Sequence, residues 1–511
     1  MHTIFNVLLD PLFGKYVSRR VGLELDPFLF ILGTVKRKFP SLLLAVVLPQ
    51  LLALSQRSSE RKFSGQVDQA RLIQTVRELV SFGNRLGGTK SGDKASRYVL
   101  EKFRSFGYKA GLSEDPEKLV FTHERWSLHV EKPSGLRNLI RNEWLAGFSP
   151  SAASKRTKLV LVASEEDFPS ASVESSAVLV PAIVSHDVYT RLVNAGAVCV
   201  LSYDSILVGY KSWSLITELS PSNENRIPLF NISFQNGERL KQELRRGKDV
   251  TIRFSAKTSI RRGRPRTVVA TLKGKSDDCY IVCAHGDSDS GGPGADDNAS
   301  GVAGVMELAR VMRDLVARKA IRVPAQSVKF IVWGSEYFST EHYVRAHEQE
   351  LGKILGVVNY DEIGTGKTRN CLYFEGNDIP QNERFLRVFE KVGEDYVGKR
   401  GFWHEATTNP SQGGTDSYVF LPEYLSKISA PSVEIPAITV YSAAWNVPKT
   451  MLQTPGWSSR AWKGHQDSVT IDYSAYYHSS MDIPATTTDK EPFNMVWAVK
   501  AVGIGLLRLA W

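Results

Sequence analysis

The sequence predicts an α/β fold with a second, strand-rich region inserted into it. Three apolar runs, at 280–284, 328–333 and 354–360, have the continuous hydrophobicity of strands that are buried on both faces of a sheet. A helical pattern follows the first of these runs over 301–315. Between 125 and 258 the chain instead alternates short β-branched runs with Ser-, Pro- and Gly-rich connections. We therefore expect an α/β unit and a smaller, β-rich one.

Helices are also predicted before and within the strand-rich region. Apolar residues recur at helical spacing from Leu72 to Val80, and a second helical pattern runs over 91–106 until Gly107 ends it. A third helix is predicted at 189–195. The predicted strands of the inserted region lie at 158–163, 177–184, 197–203 and 250–254.

Composition excludes several classes of protein. A chain of 511 residues with 42% hydrophobic and 23% charged residues is not intrinsically disordered. Four cysteines without a CxxC pair exclude a disulfide scaffold and a zinc ribbon, and they leave the redox compartment open. No uninterrupted run of 18 apolar residues occurs, which excludes a polytopic membrane protein.

The net charge of +10 does not indicate a nucleic-acid partner. Half of it comes from residues 1–62, which hold nine Lys and Arg against four Asp and Glu. The basic run at 261–266 lacks the interleaved aromatic residues that base stacking needs. We expect this run to be a solvated linker.

The N-terminal 62 residues differ from the rest of the chain. A basic cluster at 36–38 precedes an apolar stretch at 41–54, which is typical of a signal peptide or a short membrane anchor. The alternative is an amphipathic helical extension on the protein or membrane surface. We favour an exported or membrane-associated protein, with the N-terminus as the contact to the membrane, over a cytoplasmic one.

Each of the three buried runs ends in residues that can bind a metal. His285 and Asp287 follow the first run, Glu336 follows the second and Asp361 follows the third. Ligands of open α/β sheets bind at the carboxyl ends of the strands. We therefore expect these side chains to meet at one edge of the sheet.

Two further segments add candidate ligands. The glycine-rich stretch 291–301 presents Asp296 and Asp297 just before a predicted helix, where an N-cap is the alternative role. Near the C-terminus, His478 lies among polar residues. Imidazole and carboxylate ligands together suit Zn²⁺, with Mn²⁺ or Co²⁺ as alternatives, better than Mg²⁺ or Ca²⁺.

With these motifs in their order, the chain resembles the M28 family of zinc exopeptidases, in its aminopeptidase- and carboxypeptidase Q-like group with an inserted protease-associated (PA) domain. The resemblance covers roughly residues 65–511. The motifs that carry it are HxD at 285–287, PGADDNASG at 293–301, FIVWGSE at 330–336, VVNYDEIG at 357–364, GGTDSYVF at 413–420 and YYHSSMD at 476–482.

The resemblance implies a three-layer zinc-peptidase fold with a central mixed sheet. The peptidase domain would comprise residues 63–129 and 259–511, and the PA-like domain would comprise residues 130–258. Residues 1–62 would be an N-terminal extension outside both domains.

The resemblance also implies the ligands of one or two zinc ions. His285 and Asp361 would hold one zinc ion and His478 the other. Asp296 would bridge the two ions, and its peptide bond to Asp297 would be cis.

Three further roles follow from the same resemblance. Asp287 would orient His285, Glu336 would be the general base, and Asp416 would lie near the substrate pocket.

One position departs from the family pattern. The family has a second Glu after the base, as a ligand beside His478, and this chain has Tyr337 there. Three alternatives stay open. Glu336 is the base and the second ion is weakly held, or Glu336 or Glu341 acts as the missing ligand, or the site is impaired and the protein is a binding or receptor-like member of the fold.

The function that this sequence predicts is metal-dependent hydrolysis of a terminal peptide bond in small peptides. An aminopeptidase is favoured over a carboxypeptidase or a dipeptidase, although residue spacing alone does not choose the terminus. The oligomeric state is left open.

Overall fold

The structure is a computed structural model of the chain. It describes residues 55–137, 144–163, 173–182, 184–203, 226–289, 292–364, 372–376, 379–403, 415–428, 433–442, 476 and 478–511. The apolar stretch predicted as a signal peptide or anchor at 41–54 lies outside the described residues. Among the helices that are described, none has the length and hydropathy that crossing a membrane requires.

Nine α-helices and fourteen strands organise the described residues from 69 onward. The helices are Gln69–Ser81 (α1), Lys90–Ser105 (α2), His186–Asn194 (α3), Phe234–Arg245 (α4), Gly301–Ala317 (α5), Phe338–Ala346 (α6), Pro380–Tyr396 (α7), Pro422–Ile428 (α8) and Phe493–Leu509 (α9). The strands are Gly111–Glu114 (β1), Lys118–Lys132 (β2), Trp144–Leu145 (β3), Ala152–Leu161 (β4), Ala177–Val180 (β5), Cys199–Ser202 (β6), Leu229–Asn231 (β7), Thr251–Gly263 (β8), Arg266–Leu272 (β9), Ser276–His285 (β10), Gln326–Trp333 (β11), Ile354–Tyr360 (β12), Tyr373–Glu375 (β13) and Ala437–Tyr441 (β14).

The central sheet is mixed and has seven strands in the order β1-β9-β11-β10-β12-β14-β13. Strands β11, β10, β12 and β14 run parallel to their neighbours in this order. The outer pairs β1/β9, β9/β11 and β13/β14 are antiparallel. The three strands predicted from the apolar runs are therefore adjacent, with β10 in the middle.

Alternate residues of the central strands enter two different hydrophobic cores. Val282 and Ala284 of β10 pack in the core that includes α5 and α9. Ile281 and Cys283 pack in a second core with residues of α6 and α8. Because successive side chains of a strand point to opposite faces, the sheet lies between two layers, and the predicted three-layer α/β fold is confirmed.

The first two helices begin at residues that cap them. The carboxylate of Asp68 accepts a hydrogen bond from the Ala70 amide at 2.8 Å, and the hydroxyl of Thr89 accepts one from the Gly92 amide at 3.2 Å. The apolar stripe predicted from Leu72 to Val80 buries its Leu72, Val76 and Leu79 side chains in the main core. Both helices lie within about three residues of their predicted bounds.

The strand-rich region forms a sheet of its own, in the order β2-β8-β4-β5-β6-β7-β3. Helices α3 and α4 contribute to two separate cores that are built on alternate residues of this sheet, such as Val178 in one core and Leu179 in the other. The sheet extends beyond the predicted insert of 130–258, because β2 begins at Lys118 and β8 ends at Gly263. Its identity as a PA-like domain stays a prediction.

The expectation of a linker at 261–266 is wrong. Arg261 and Arg262 belong to β8, Arg266 begins β9, and only residues 264 and 265 lie between the two strands. Arg261, Arg262 and Arg264 are exposed, whereas Arg266 is half-buried and forms an ion pair with Glu114 at 2.9 Å across the β1/β9 pair.

Stability should depend strongly on the centre of this sheet. Phe330 of β11 is fully buried, so Phe330→Ala should lower the free energy of unfolding by about 3–5 kcal/mol through lost burial and a cavity. Val323 is 48% exposed and provides the control, since Val323→Ala should change stability by less than about 0.5 kcal/mol. Urea unfolding measures both, and equal effects would contradict the described packing.

Candidate metal centre

The parallel pairing of three strands brings the candidate residues to one edge of the sheet. His285, the last residue of β10, lies opposite Trp333, the last residue of β11. On the other side of β10, Cys283 lies opposite Asn359 of β12. Glu336 and Asp361 therefore follow strands that end beside His285, as the pattern of strand ends predicts.

Three of these side chains form a compact donor cluster. The Nε2 atom of His285 lies 3.4 Å from Oδ1 of Asp297 and 3.5 Å from Oδ1 of Asp361. One donor atom from each residue lies within 4.8 Å of the other two. Two ligands bound at about 2.1 Å to a tetrahedral ion lie about 3.4 Å apart, so the distances to His285 fit one zinc ion.

The carboxylate of Asp297 lies between the two histidines. Its Oδ1 atom faces His285, and its Oδ2 atom lies 2.9 Å from Nε2 of His478. His478 thus reaches the cluster from the C-terminal part of the chain. A carboxylate with one oxygen toward each histidine has the arrangement of a bridging ligand.

The expectation that Asp296 occupies this position is wrong, because Asp297 occupies it. The carboxylate of Asp296 is fully buried and accepts a hydrogen bond from the Gly364 amide at 2.8 Å. Asp297 has extended backbone angles (φ −102°, ψ 95°), and neighbouring side chains of an extended segment point in opposite directions. The cis peptide bond also lies one residue later than expected, since it joins Asp297 to Asn298 rather than Asp296 to Asp297.

The carboxylate of Asp361, the third member of the cluster, is oriented by a hydrogen bond to one of its two oxygens. Thr415 donates a hydrogen bond from Oγ1 to Oδ2 of Asp361 at 2.5 Å, and Asn359 in turn donates to Thr415 at 3.0 Å. The other oxygen, Oδ1 of Asp361, is buried without a hydrogen-bond partner in the described part of the chain. A buried carboxylate oxygen of this kind is what a metal site presents before an ion binds.

Asp287 connects the cluster to Glu336. Its Oδ1 atom lies 3.3 Å from Nδ1 of His285 and accepts a hydrogen bond from the Glu336 amide at 3.0 Å. The ring of His285 therefore has one nitrogen toward Asp287 and the other toward the cluster. The same carboxylate fixes the backbone from which the Glu336 side chain extends.

The electrostatics of the cluster favour a cation. Burial alone would lower the pKa of His285, but the carboxylates of Glu336, Asp361 and Asp287 outweigh burial, and the pKa is raised well above its usual value. Burial raises the pKa of Glu336 well above the usual range, and Asp361 adds to this while His285 offsets it only in part. The buried acidic groups therefore favour the binding of a positively charged ion between them.

Tyr337 and Glu341 both lie away from the donor cluster. The Tyr337 side chain packs against the core that contains Trp333 and Tyr343. Glu341 accepts a short hydrogen bond from the hydroxyl of Tyr424. The structure thus places neither side chain beside His478 as a substitute for the absent Glu.

Asp416 does not line the substrate pocket as expected. It is fully buried, and its Oδ1 atom accepts hydrogen bonds from the Tyr337 amide at 2.9 Å and from the hydroxyl of Thr340. Burial raises the pKa of Asp416 to about 7, although His285 and these hydrogen bonds lower it. Asp416 therefore orders the turn that follows Glu336 and has no surface with which to contact a substrate.

Two buried charged residues that sequence reasoning missed hold the loop of Asp297 in place. Both carboxylate oxygens of Asp482 accept backbone hydrogen bonds, from Asp296 at 2.8 Å and from Asp297 at 3.0 Å. The guanidinium of Arg85 donates to the carbonyls of Gly286 at 3.2 Å and Gly294 at 2.9 Å, and closely to that of Pro293. The position of Asp482 in the same short motif as His478 was a usable signal, whereas nothing in the sequence marks Arg85.

The cluster opens into a pocket of about 500 Å³ that residues of both sheets line. From the central sheet and its loops come the metal-type residues together with Ser335 and Phe338. Lys118, Leu119 and Arg262 come from β2 and β8 of the second sheet. A substrate at the cluster is therefore in reach of side chains from the second sheet.

The fold and the site together define an α/β protein with a histidine–carboxylate metal centre at the carboxyl ends of parallel strands. Residues 267–501 match the family model described as Peptidase family M28, and over this part of the chain the resemblance to that family seen in the sequence is confirmed. The family model leaves the PA-like region outside its match.

Named relatives are similar over much of the chain. An aminopeptidase of Pseudomonas aeruginosa is 24% identical over 362 residues, which cover 66% of this chain and 65% of that protein, less than two thirds of its length. Aminopeptidase YwaD of Bacillus subtilis is 24% identical over 396 residues, covering 73% of this chain and 77% of the relative. A solved zinc aminopeptidase from Bacillus subtilis has the same fold, with a TM-score of 0.58 and 18% identity over 87% of this chain and 95% of that one.

The loop of Asp297 should lose stability when Asp482 can accept only one of its two hydrogen bonds. Asp482→Asn places an amide NH₂ against a buried backbone N–H, so it should cost about 1.5–3 kcal/mol of unfolding free energy. Asp489 lies on the same segment in a partly exposed ion pair with Arg77, and Asp489→Asn should cost less than about 1 kcal/mol. Chemical unfolding of both variants tests this, and an unaffected Asp482→Asn variant would contradict the described bonds.

Proposed function

We propose that the protein is a zinc-dependent aminopeptidase that removes the N-terminal residue of small peptides. The observation that carries the proposal is the carboxylate of Asp297 between His285 and His478, beside Glu336 in one pocket. The names of the similar proteins, aminopeptidase in two organisms and zinc aminopeptidase for a protein of the same fold, support the choice of reaction and metal.

The residues present fit zinc. His285, Asp297 and Asp361 would hold one ion, and Asp297 and His478 would hold a second. When bound, zinc polarises the scissile carbonyl and lowers the pKa of a coordinated water molecule toward neutrality. The second position has fewer protein ligands because Tyr337 replaces a Glu, so we expect it to bind its ion more weakly than the first.

Glu336 is proposed as the general base and then the general acid. Its carboxylate would take the proton of the attacking water and return it to the amine of the leaving peptide. Asp287 supports this role because it accepts the Glu336 amide hydrogen and also orients His285. Asp416 supports it from the other side by accepting the Tyr337 amide hydrogen.

The pocket favours small substrates with an apolar side chain. Apolar side chains contribute to its wall, namely Leu86, Leu119, Phe148 and Phe338. We further propose that the second sheet is a PA-like domain that covers the cleft and limits access to small or unfolded peptides. Its residues in the pocket wall support this, because a substrate that reaches the cluster also has to fit against the second sheet.

The non-catalytic alternative rests on Tyr337 alone. The described geometry gives it no further support, because His285 keeps its contacts with the carboxylates of Asp287 and Asp361, and the backbone amide of Glu336 donates to Asp287.

The first functional test concerns the base. Glu336→Gln should lower kcat by about 10²–10⁴-fold while the metal content and the melting temperature stay at wild-type values, because the amide cannot accept a proton. Glu341→Gln is the matched control, since Glu341 pairs with Tyr424 outside the cluster, and it should retain wild-type kcat.

Two outcomes would contradict this assignment. Loss of metal from Glu336→Gln would make Glu336 a ligand rather than the base. Loss of activity in Glu341→Gln, with Glu336→Gln still active, would place the chemistry on Glu341. Turnover of leucine 7-amido-4-methylcoumarin and metal analysis of each purified variant measure these outcomes.

The second test counts metal ions. The wild-type protein should bind up to two Zn²⁺ per chain, and His478→Ala should bind one, because only the weaker position depends on His478. Asp297→Asn should weaken both positions. His129→Ala, at an exposed position of β2, is the control. Zinc titration followed by elemental analysis would refute the proposed ligand set if His478→Ala still bound two ions.

A further inference from the structure

Lys118 is a cation that the second sheet contributes to the pocket beside the metal-type cluster. It is the first residue of β2, in the second sheet, and its side chain lines the same pocket as His285, Glu336 and His478. The proposed reaction gives this lysine no role. Its position therefore raises the question of which group it binds.

The Lys118 ammonium is fixed in place rather than free in solvent. Its Nζ atom donates a hydrogen bond to Oγ of Ser335 at 2.7 Å and lies 5.1 Å from the centre of the Phe338 ring. Ser335 directly precedes Glu336, and consecutive Cα atoms are about 3.8 Å apart. The ammonium is thus bound to the residue that directly precedes the proposed base.

The two direct partners recorded for the Lys118 ammonium are uncharged. A hydroxyl and an aromatic ring are the two partners recorded for its Nζ atom among the described residues, and neither carries a negative charge. Burial lowers the pKa of Lys118, and the carboxylates of Asp287, Glu336 and Asp115 offset this only in part. A buried ammonium without a direct counter-ion is a favourable partner for an incoming anion.

A second cation lies at the same wall. Arg262 of β8 also lines the pocket, and it is the pairing partner of Leu119, the residue after Lys118. Glu117 is the acidic residue of this part of the pocket wall, and its carboxylate forms an ion pair with Arg264 at 3.4 Å. Positive charge therefore exceeds negative charge where the second sheet meets the pocket.

We infer that Lys118 binds the C-terminal carboxylate of a di- or tripeptide substrate whose N-terminal bond lies at the metal cluster. This inference rests on the proposed aminopeptidase function and specifies its substrate class. A chain end only one or two residues beyond the scissile bond matches the place of Lys118 beside Ser335 and Glu336. Longer peptides lack a carboxylate at that distance unless a side chain supplies it.

The test compares substrates that differ only in the carboxylate. With the zinc-loaded full-length enzyme, kcat/KM for Leu-Gly should exceed that for Leu-Gly-amide by about 10- to 100-fold, the range for a hydrogen bond to a charged group. Lys118→Met keeps the length of the side chain and removes its charge. In this variant kcat/KM for Leu-Gly should fall to the value for Leu-Gly-amide, mainly because KM rises. The amide should change less than about threefold.

Two further variants complete the design. Lys118→Arg keeps the positive charge and should restore most of the preference for Leu-Gly. Lys155→Met makes the same chemical change at an exposed position of β4 in the same sheet and should leave both substrates at wild-type values.

A carboxylate at this distance can also come from an acidic side chain. Leu-Glu-amide and Leu-Gln-amide separate the two sources, because both lack the terminal carboxylate. A Lys118-dependent preference for Leu-Glu-amide, without one for Leu-Gly over its amide, would overturn the inference in favour of an acidic side chain.

The remaining outcomes separate this inference from the proposed function. Equal losses on Leu-Gly and its amide in Lys118→Met would overturn the inference, because Lys118 would then act through Glu336 or the fold. If the wild type hydrolysed Leu-Gly and Leu-Gly-amide equally well, the inference about Lys118 would also be overturned, while the proposed aminopeptidase function would stand. No turnover of any leucyl substrate by the wild type would refute the proposed function itself.

Discussion

The burial of several carboxyl groups at one edge of the central sheet is the constraint on which the site depends. Asp287, Asp297, Asp361 and Glu336 all lie around His285, and like charges in a low-dielectric site repel each other strongly. Burial raises the pKa of Glu336 well above its usual range, and the nearby carboxylates of Asp361, Asp416 and Asp297 raise it further. Burying these carboxylates together at the ends of three parallel strands is unfavourable unless positive charge lies between them. A divalent ion supplies that charge in the smallest volume.

The loop that carries Asp297 is held by charges from both ends of the chain. Asp482, from the C-terminal part, accepts the loop's backbone N–H groups, and Arg85, from the N-terminal part, donates to its carbonyls. Burial lowers the pKa of Arg85 to about 10, which leaves the guanidinium charged at neutral pH beside the acidic cluster. The loop therefore keeps its shape through long-range contacts, because its glycine-rich sequence has little local preference of its own.

The sequence predicts the strand ends better than the loops. His285 and Asp361 could be placed because a buried parallel strand delivers its next residue to a known edge of the sheet. The choice of Asp296 over Asp297 was wrong, since the two side chains are identical and backbone angles decide which of them faces the histidines. Lys118 was missed because its role depends on a sheet that folds separately and on contacts with residues far along the chain.

Two short connections explain how a separate sheet can place a side chain accurately in the pocket. The chain passes from β1 to β2 and returns from β8 to β9 through residues 115–117 and 264–265 only. Asp115 joins them, since its amide donates to the carbonyl of Pro265 at 2.9 Å and its carboxylate accepts hydrogen bonds from Thr267 at 3.0 Å and Ser339 at 2.5 Å. Ser339 lies on α6, directly after the turn of the proposed base. The strand that carries the pocket cation is therefore fixed to the element that positions the base, and substrate selection and catalysis share one rigid support.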